Sequence, residues 1–144
     1  MISVSDLLTG KGSQVWSVDI SATLSKALRL LDEKDVGALP VMDGEALAGI
    51  FSERDFARAI STDPMLPLDT PVSELMTKDV LTVTPTDSIE TCMKLMTDQH
   101  IRHLPVVDNG KMIGIVSIGD AVKLFITDTK SFITSLEDYI QGRW

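Results

Sequence analysis

Cysteine occurs once in the sequence, at Cys92, which excludes an intrachain disulfide and any multi-cysteine metal site. Basic residues are outnumbered, 13 Lys and Arg against 21 Asp and Glu, giving a net charge of −8. That charge repels a phosphate backbone and argues against non-specific nucleic-acid binding. Long apolar runs are missing. A stretch such as residues 112–116 is far too short to span a bilayer. The first residues show no basic segment followed by a long apolar one, so a cytoplasmic protein with no membrane partner is expected. Phosphate-loop, dinucleotide-fingerprint, His-Glu-x-x-His and Cys-x-x-Cys patterns do not occur. No metal cofactor is expected. The two histidines, His100 and His103, precede a strand, while Cys92 lies on a helix face, and nothing aligns them as nucleophile and base. The reading is therefore a protein that is not an enzyme, although the many Asp and Glu residues leave room for an acid–base pair.

What the sequence does contain is a repeat. Shifted by 65 positions, residues 18–55 lie over 83–120 with ten identities. Leu39-Pro40-Val41 meets Leu104-Pro105-Val106, Gly49-Ile50 meets Gly114-Ile115, and Ser52 and Asp55 meet Ser117 and Asp120. A shift of 68 aligns residues 4–9 with 72–77, so the first half carries three extra residues around 10–14.

Each half has the same expected order. A short helix (residues 4–8; 72–76) precedes an extended stretch (15–18; 80–84). A helix follows, with Leu24, Ala27, Leu28 and Leu31 in one half and Ile89, Cys92, Met93 and Met96 in the other. The i, i+3, i+4, i+7 spacing gives each helix one apolar face, on which Cys92 reads as a buried thiol. Asp87 and Glu90 resemble a capping pair at the start of the second of these helices. Two strands come next (39–42 and 47–51; 104–107 and 112–116), joined across Asp43-Gly44 and Asp108-Asn109-Gly110-Lys111. A last helix follows Ser52 or Ser117. The fold class is α/β (α+β), with two β-α-β-β-α repeats related by a pseudo-two-fold axis. The divisions are 1–62, a 63–71 linker, 72–128, and a C-terminal helical extension over 129–144. Units this small bury little surface alone, so the two are expected to pack together.

These repeated pieces, residues 36–43 with 49–55 and 101–108 with 114–120, resemble the CBS domain family. The chain looks like a stand-alone CBS pair, a Bateman module. The resemblance implies an adenosine-containing ligand: AMP first, with ADP, ATP, NAD(H) or S-adenosylmethionine as alternatives. It also implies a homodimer and a regulated partner protein.

Ser52/Asp55 and Ser117/Asp120 stand where a strand ends and a helix begins. One reading is an N-cap, with Ser accepting from a free N–H and the acid favouring the helix start. The other adds that each carboxylate accepts from both hydroxyls of a ribose. The two are compatible. By resemblance, one pocket would combine Ser52, Arg54 and Asp55 with Val80, Leu81, Arg102 and His103. Val80 and Leu81 would line the adenine, and Arg102 and His103 would neutralise phosphate. The other pocket would combine Ser117, Gly119 and Asp120 with Val15, Trp16, Gly37 and Ala38. Gly37-Ala38 stands where the other half has Arg102-His103, so that loop brings no cation. The first pocket is thus expected to favour a phosphate-bearing ligand, and the second to favour a less charged adenosine moiety, to bind the ligand differently, or to be empty. Trp16 reads as a core aromatic or a base-stacking one, and His100 as a helix-end residue.

Phe132, Leu136, Tyr139 and Ile140 recur at helical spacing. A helix packing back on its own domain is expected, with a dimer or partner contact as the alternative. The functional reading is a regulatory module that senses an adenine nucleotide between its repeats. Its rival is a constitutive interaction module whose Ser-x-x-Asp motifs only cap helices.

Overall fold

The computed structural model describes residues 2–12 and 14–142. The first half runs α1 (Val4–Lys11), β1 (Val18–Asp19), α2 (Leu24–Lys34), β2 (Ala38–Asp43), β3 (Ala46–Ser52) and α3 (Glu53–Thr62). The second has a single 3-10 turn (Val72–Glu74), then α4 (Ile89–Asp98), β4 (His103–Asp108), β5 (Lys111–Ser117) and α5 (Ile118–Ile140).

Both antiparallel hairpins form where the sequence places them, β2 with β3 and β4 with β5. Their tight turns use residues that tolerate positive φ: Gly44 at 62°, Asn109 at 52° and Gly110 at 78°. The extended stretches are shorter than expected. In the first half only Val18 and Asp19 pair with β2, in parallel. In the second the strand shrinks to one bridge, Val83 with Val106. The reason is chemical. Ile20 N–H extends the first ladder by donating to Met42 O at 2.8 Å. Its equivalent is Pro85, which has no N–H to donate.

Helices α2 and α4 bury the expected faces. Leu24, Ala27, Leu31, Ile89, Cys92 and Met96 are all in the core. The cap of α4 is Ser88, which accepts from Thr91 N–H at 3.1 Å, rather than the Asp87/Glu90 pair. Asp87 instead accepts from Thr84 N–H at 2.7 Å, closing the turn before the helix.

The division into repeats is not the division into cores. Val4, Leu7 and Leu8 of α1 pack with Val83, Ile89, Cys92, Met96 and the β4–β5 hairpin. Val72, with Leu75 and Met76 beside it, packs in the core of the first half. Each leading segment therefore crosses to the other repeat. Backbone bonds fasten the exchange symmetrically: Val4 N–H donates to Asp87 O and Val72 N–H to Ala22 O, both at 2.8 Å. Two glycines admit the crossing segments. A Cβ on Gly49 would lie 2.6 Å from Met76 Sδ, and one on Gly114 would lie 2.7 Å from Leu8 Cδ2.

The C-terminal expectation is corrected. Residues 129–140 are not a separate packed helix but the continuation of α5, one helix of 23 residues. Phe125, Ile126, Phe132, Ile133, Leu136 and Ile140 remain exposed along it, Phe132 at 64%.

Candidate functional site

Each Ser-x-x-Asp motif lies at a strand-to-helix junction. Ser52 is extended (φ −121°, ψ 164°) and caps α3 by accepting from Asp55 N–H at 3.2 Å. Asp55 Oδ2 accepts in return from Ser52 N–H at 2.9 Å and from Ser52 Oγ at 3.0 Å. Its other oxygen, Oδ1, accepts from Thr77 Oγ1 at 3.1 Å. Thr77 ends the leading segment of the second repeat. It is held there by two backbone bonds with Ile50, at 2.9 and 3.0 Å. Ser117 caps α5 in the same way, accepting from Asp120 N–H at 3.1 Å. Asp120 Oδ2, however, accepts from Lys11 Nζ at 2.5 Å, an ion pair. Lys11 also donates to Ile115 O at 2.9 Å. Thus the acid of each repeat meets the end of the other repeat's leading segment. One meets a neutral hydroxyl and the other an ammonium.

The capping reading of both motifs is therefore realised. The carboxylates are half-buried. Burial pushes the Asp120 carboxyl up, but hydrogen bonds from Lys11 and Ser117, together with the lysine charge, more than offset it. The group is held below its ordinary value.

Arg54, on the exposed first turn of α3, reaches the other repeat. Its Nη1 donates to His100 O at 2.9 Å. His100 is left-handed, φ 55°, just past the end of α4, which fits its helix-end reading. Arg54 and Arg102 line one cavity of about 540 Å³ together with Met96, Thr97, Ile101 and Ile118. Two guanidinium groups from different repeats over an apolar floor can take an anion carried on a flat apolar body. Ser52, Asp55, Val80 and Leu81 are not among the residues that line this cavity. Val80 is half-buried and Leu81 is 41% exposed, on the strand-like stretch after Thr77.

His103 joins the second group. It lies opposite Ser117 in the hairpin, and a Cβ on Gly37 would come within 3.2 Å of its Cε1. Burial and the charges of Lys11 and Arg102 keep its imidazole below the usual pKa, with Asp120 opposing them. The backbones of Gly37 and Ala38 bind their own repeat: Glu53 N–H donates to Gly37 O at 3.0 Å, and Ala38 pairs with Ser52. Gly119 is exposed beside Asp120, and Val15 is half-buried. Trp16 is not a core residue. It is 37% exposed, and Lys34 Nζ sits 4.0 Å from its ring centroid.

Two residues escaped the sequence reading. Thr77 was visible as a repeated position, equivalent to Thr9, but without a role. Lys11 falls in the inserted residues that the repeat alignment passes over. Lys11 thus brings to the second group a cation that the Gly37-Ala38 loop does not supply, and it is paired with Asp120. Among the described residues no cluster of three or more His, Cys, Asp or Glu could hold a metal ion. No described helix is long and apolar enough to cross a membrane.

The CBS domain profile matches residues 4–62 and again 72–127. The chain belongs to the CBS domain family. It is 37% identical over 150 residues to the mitochondrial CBS domain-containing protein CBSX3 of Arabidopsis thaliana, covering 97% of this chain and 72% of that one. It is 37% identical over 120 residues to the CBS domain-containing protein YhcV of Bacillus subtilis, covering 83% of each. The solved structure of a signal-transduction protein with CBS domains from Burkholderia ambifaria superposes with a TM-score of 0.82. It is 42% identical and covers 88% of this chain and 95% of that one. The CBS pair of protein MJ0100, in complex with 5′-methylthioadenosine and S-adenosyl-L-methionine, gives 0.75 at 25% identity, over 85% and 98%. The fold is thus a tandem CBS pair, and the chain is a regulatory module by family.

Proposed function

We propose that this CBS pair binds an adenine nucleotide at the junctions between its repeats and passes the binding on to a partner protein, without turning the ligand over. The observation that carries this reading is the placement of Asp55 and Asp120. Each carboxylate stands at a helix start, half-buried, where segments of both repeats meet. A ribose diol at either point bridges the two halves through one acid, with the helix start supplying N–H groups to an anion. The Arg54–Arg102 cavity adds phosphate recognition beside the first junction. The ligands of MJ0100 are adenosine compounds, which supports the class. AMP suits a cavity lined by two arginines, with ADP, ATP, NAD(H) and S-adenosylmethionine as further members. We assign Ser52, Arg54, Asp55, Val80, Leu81 and Arg102 to the first site. Ser117, Gly119, Asp120, His103, Gly37, Ala38, Val15 and Trp16 go to the second. A homodimer and a cytoplasmic setting complete the proposal.

A rival reading, a constitutive interaction module, draws on one observation: the exposed apolar face of α5. A thermal-shift panel separates the two. AMP, ADP, ATP, NADH and S-adenosylmethionine are each added at up to 100 times the expected dissociation constant. A true ligand adds about 2.7 kcal/mol at that excess, a rise of several degrees, and Asp55→Ala reduces it. No shift with any of the five would reject the nucleotide reading.

A further inference from the structure

We infer that Lys11 sets the ligand specificity of the second site, acting as a resident counter-ion that only an anionic adenosine ligand can displace from Asp120. The inference rests on the nucleotide reading above and adds to it which ligands the second site accepts.

Lys11 Nζ occupies the carboxylate that a ribose diol would have to engage, at 2.5 Å from Asp120 Oδ2. It is the last residue of α1, and that helix is anchored by Val4, Leu7 and Leu8 in the core of the second half. The ammonium is therefore presented to Asp120 by a fixed base, and a second bond to Ile115 O at 2.9 Å steadies it. Only the side-chain stem is free to swing. Lys11 and Asp120 are both about 30% exposed, so a ligand can reach the pair.

A neutral nucleoside that takes Asp120 through its hydroxyls leaves the ammonium without its counter-charge. His103, whose imidazole feels the charges of both Lys11 and Asp120, supplies no negative charge in a carboxylate's place. An adenosine ligand with a phosphate supplies the replacement. The diol takes the carboxylate while the phosphate takes the ammonium, so no charge is left unpaired. At the first site no such exchange is needed, because Asp55 Oδ1 is held by the neutral Thr77 hydroxyl. The two sites thus differ in what must be displaced, hydroxyl in one and ammonium in the other.

The test uses the full chain in an Asp55→Ala background, so that the second site is read alone. Adenosine and AMP are titrated by calorimetry into that protein and into the same protein carrying Lys11→Met or Lys11→Arg. Each variant is first checked for an unchanged melting profile cooperativity. The expected result is that Lys11→Met binds adenosine more tightly and AMP more weakly, narrowing the preference for AMP by about tenfold. Lys11→Arg should retain it. An unchanged AMP-to-adenosine ratio in Lys11→Met would overturn the assignment. So would AMP binding to wild type that disappears completely in Asp55→Ala, which would leave the first site standing and the second without a ligand. Absence of any nucleotide binding to wild type would remove the underlying functional reading itself.

Discussion

Gly49 is the position where a single added methyl group should do the most damage to the exchange of leading segments. A Cβ there would lie 2.7 Å from Thr77 O, 2.6 Å from Met76 Sδ and 3.0 Å from Met76 Cγ. The methionine can rotate away, but the carbonyl cannot. Thr77 O accepts from Ile50 N–H at 3.0 Å, and Thr77 N–H donates to Ile50 O at 2.9 Å, so moving it breaks the bridge that fastens the second leading segment to β3. The equivalent Gly114 differs. The three nearest atoms to a Cβ there all belong to the Leu8 side chain, Cδ2 at 2.7 Å, Cδ1 at 3.0 Å and Cγ at 3.4 Å. Overpacking against backbone falls at the upper part of the usual range, about 2–3 kcal/mol for Gly49→Ala. Gly114→Ala should cost about 1 kcal/mol or less, because Leu8 can turn and the strand recovers part of the glycine's entropy cost. At about 3 °C per kcal/mol for a chain of this size, calorimetry should show Gly49→Ala melting about 6–9 °C lower and Gly114→Ala no more than about 3 °C lower. Nucleotide affinity adds a second readout, since displacing Thr77 removes the donor to Asp55 Oδ1. A Gly49→Ala protein with the wild-type Tm, or a larger loss from Gly114→Ala, would refute the argument that rigid backbone contact sets the cost.

Three further outcomes are expected. Arg102→Ala should weaken AMP by about tenfold or more, the loss of a charge-assisted bond, and adenosine much less; parallel titrations of the two ligands check this. His103 is kept neutral by burial with Lys11 and Arg102 against Asp120, so its folded pKa is below the 6.5 of the unfolded chain. The unfolded state then binds the extra proton first. Stability is unaffected above that value and falls as pH drops through it, by at most about 1.4 kcal/mol per pH unit. Urea midpoints between pH 7.5 and 5.5 should show this slope, and His103→Asn should flatten it. Phe132→Ser lies on the exposed face of α5 and should change stability by less than about 0.5 kcal/mol in dilute solution; a larger loss that does not vary with protein concentration would show the face packed within its own chain.

The parts of the fold that the sequence made legible are those set by local pattern. The i, i+3, i+4, i+7 spacing located the buried faces of α2 and α4. The Gly44 and Asn109-Gly110 turns marked both hairpins because positive φ demands those residues. Ser52 and Ser117 were legible as caps for the same local reason. What was not legible is non-local. Nothing in the pattern of residues 4–8 says that this helix packs on the opposite repeat, because an apolar face fits either core. The continuity of α5 was not legible because the repeat ends near residue 128, and the helical spacing of Phe132, Leu136 and Ile140 beyond it has no counterpart in the first half to align with. Lys11 was missed because comparing repeats shows only what both copies share. A residue that makes them unequal falls in the gap between the alignments.

The inequality of the two junctions bears on how a CBS pair of this kind responds to a ligand. The exchanged segments tie each repeat to the other, and the two ties end at the acids, Thr77 at Asp55 and Lys11 at Asp120. A ligand that takes either carboxylate therefore competes with a tie between the halves rather than filling a neutral crevice. It can shift their arrangement only by the difference in its affinity for the tied and untied states. At the Asp55 end the tie is one hydrogen bond from a neutral hydroxyl, and two backbone bonds to Ile50 hold the Thr77 main chain, so a ligand that displaces the hydroxyl should leave the segment in place. At the Asp120 end the tie is an ion pair on a flexible stem, and α1, which bears it, sits on the core from which α5 departs. The second junction is accordingly the one from which displacement can travel, through α1 and the start of α5, toward the exposed apolar face that a partner would meet.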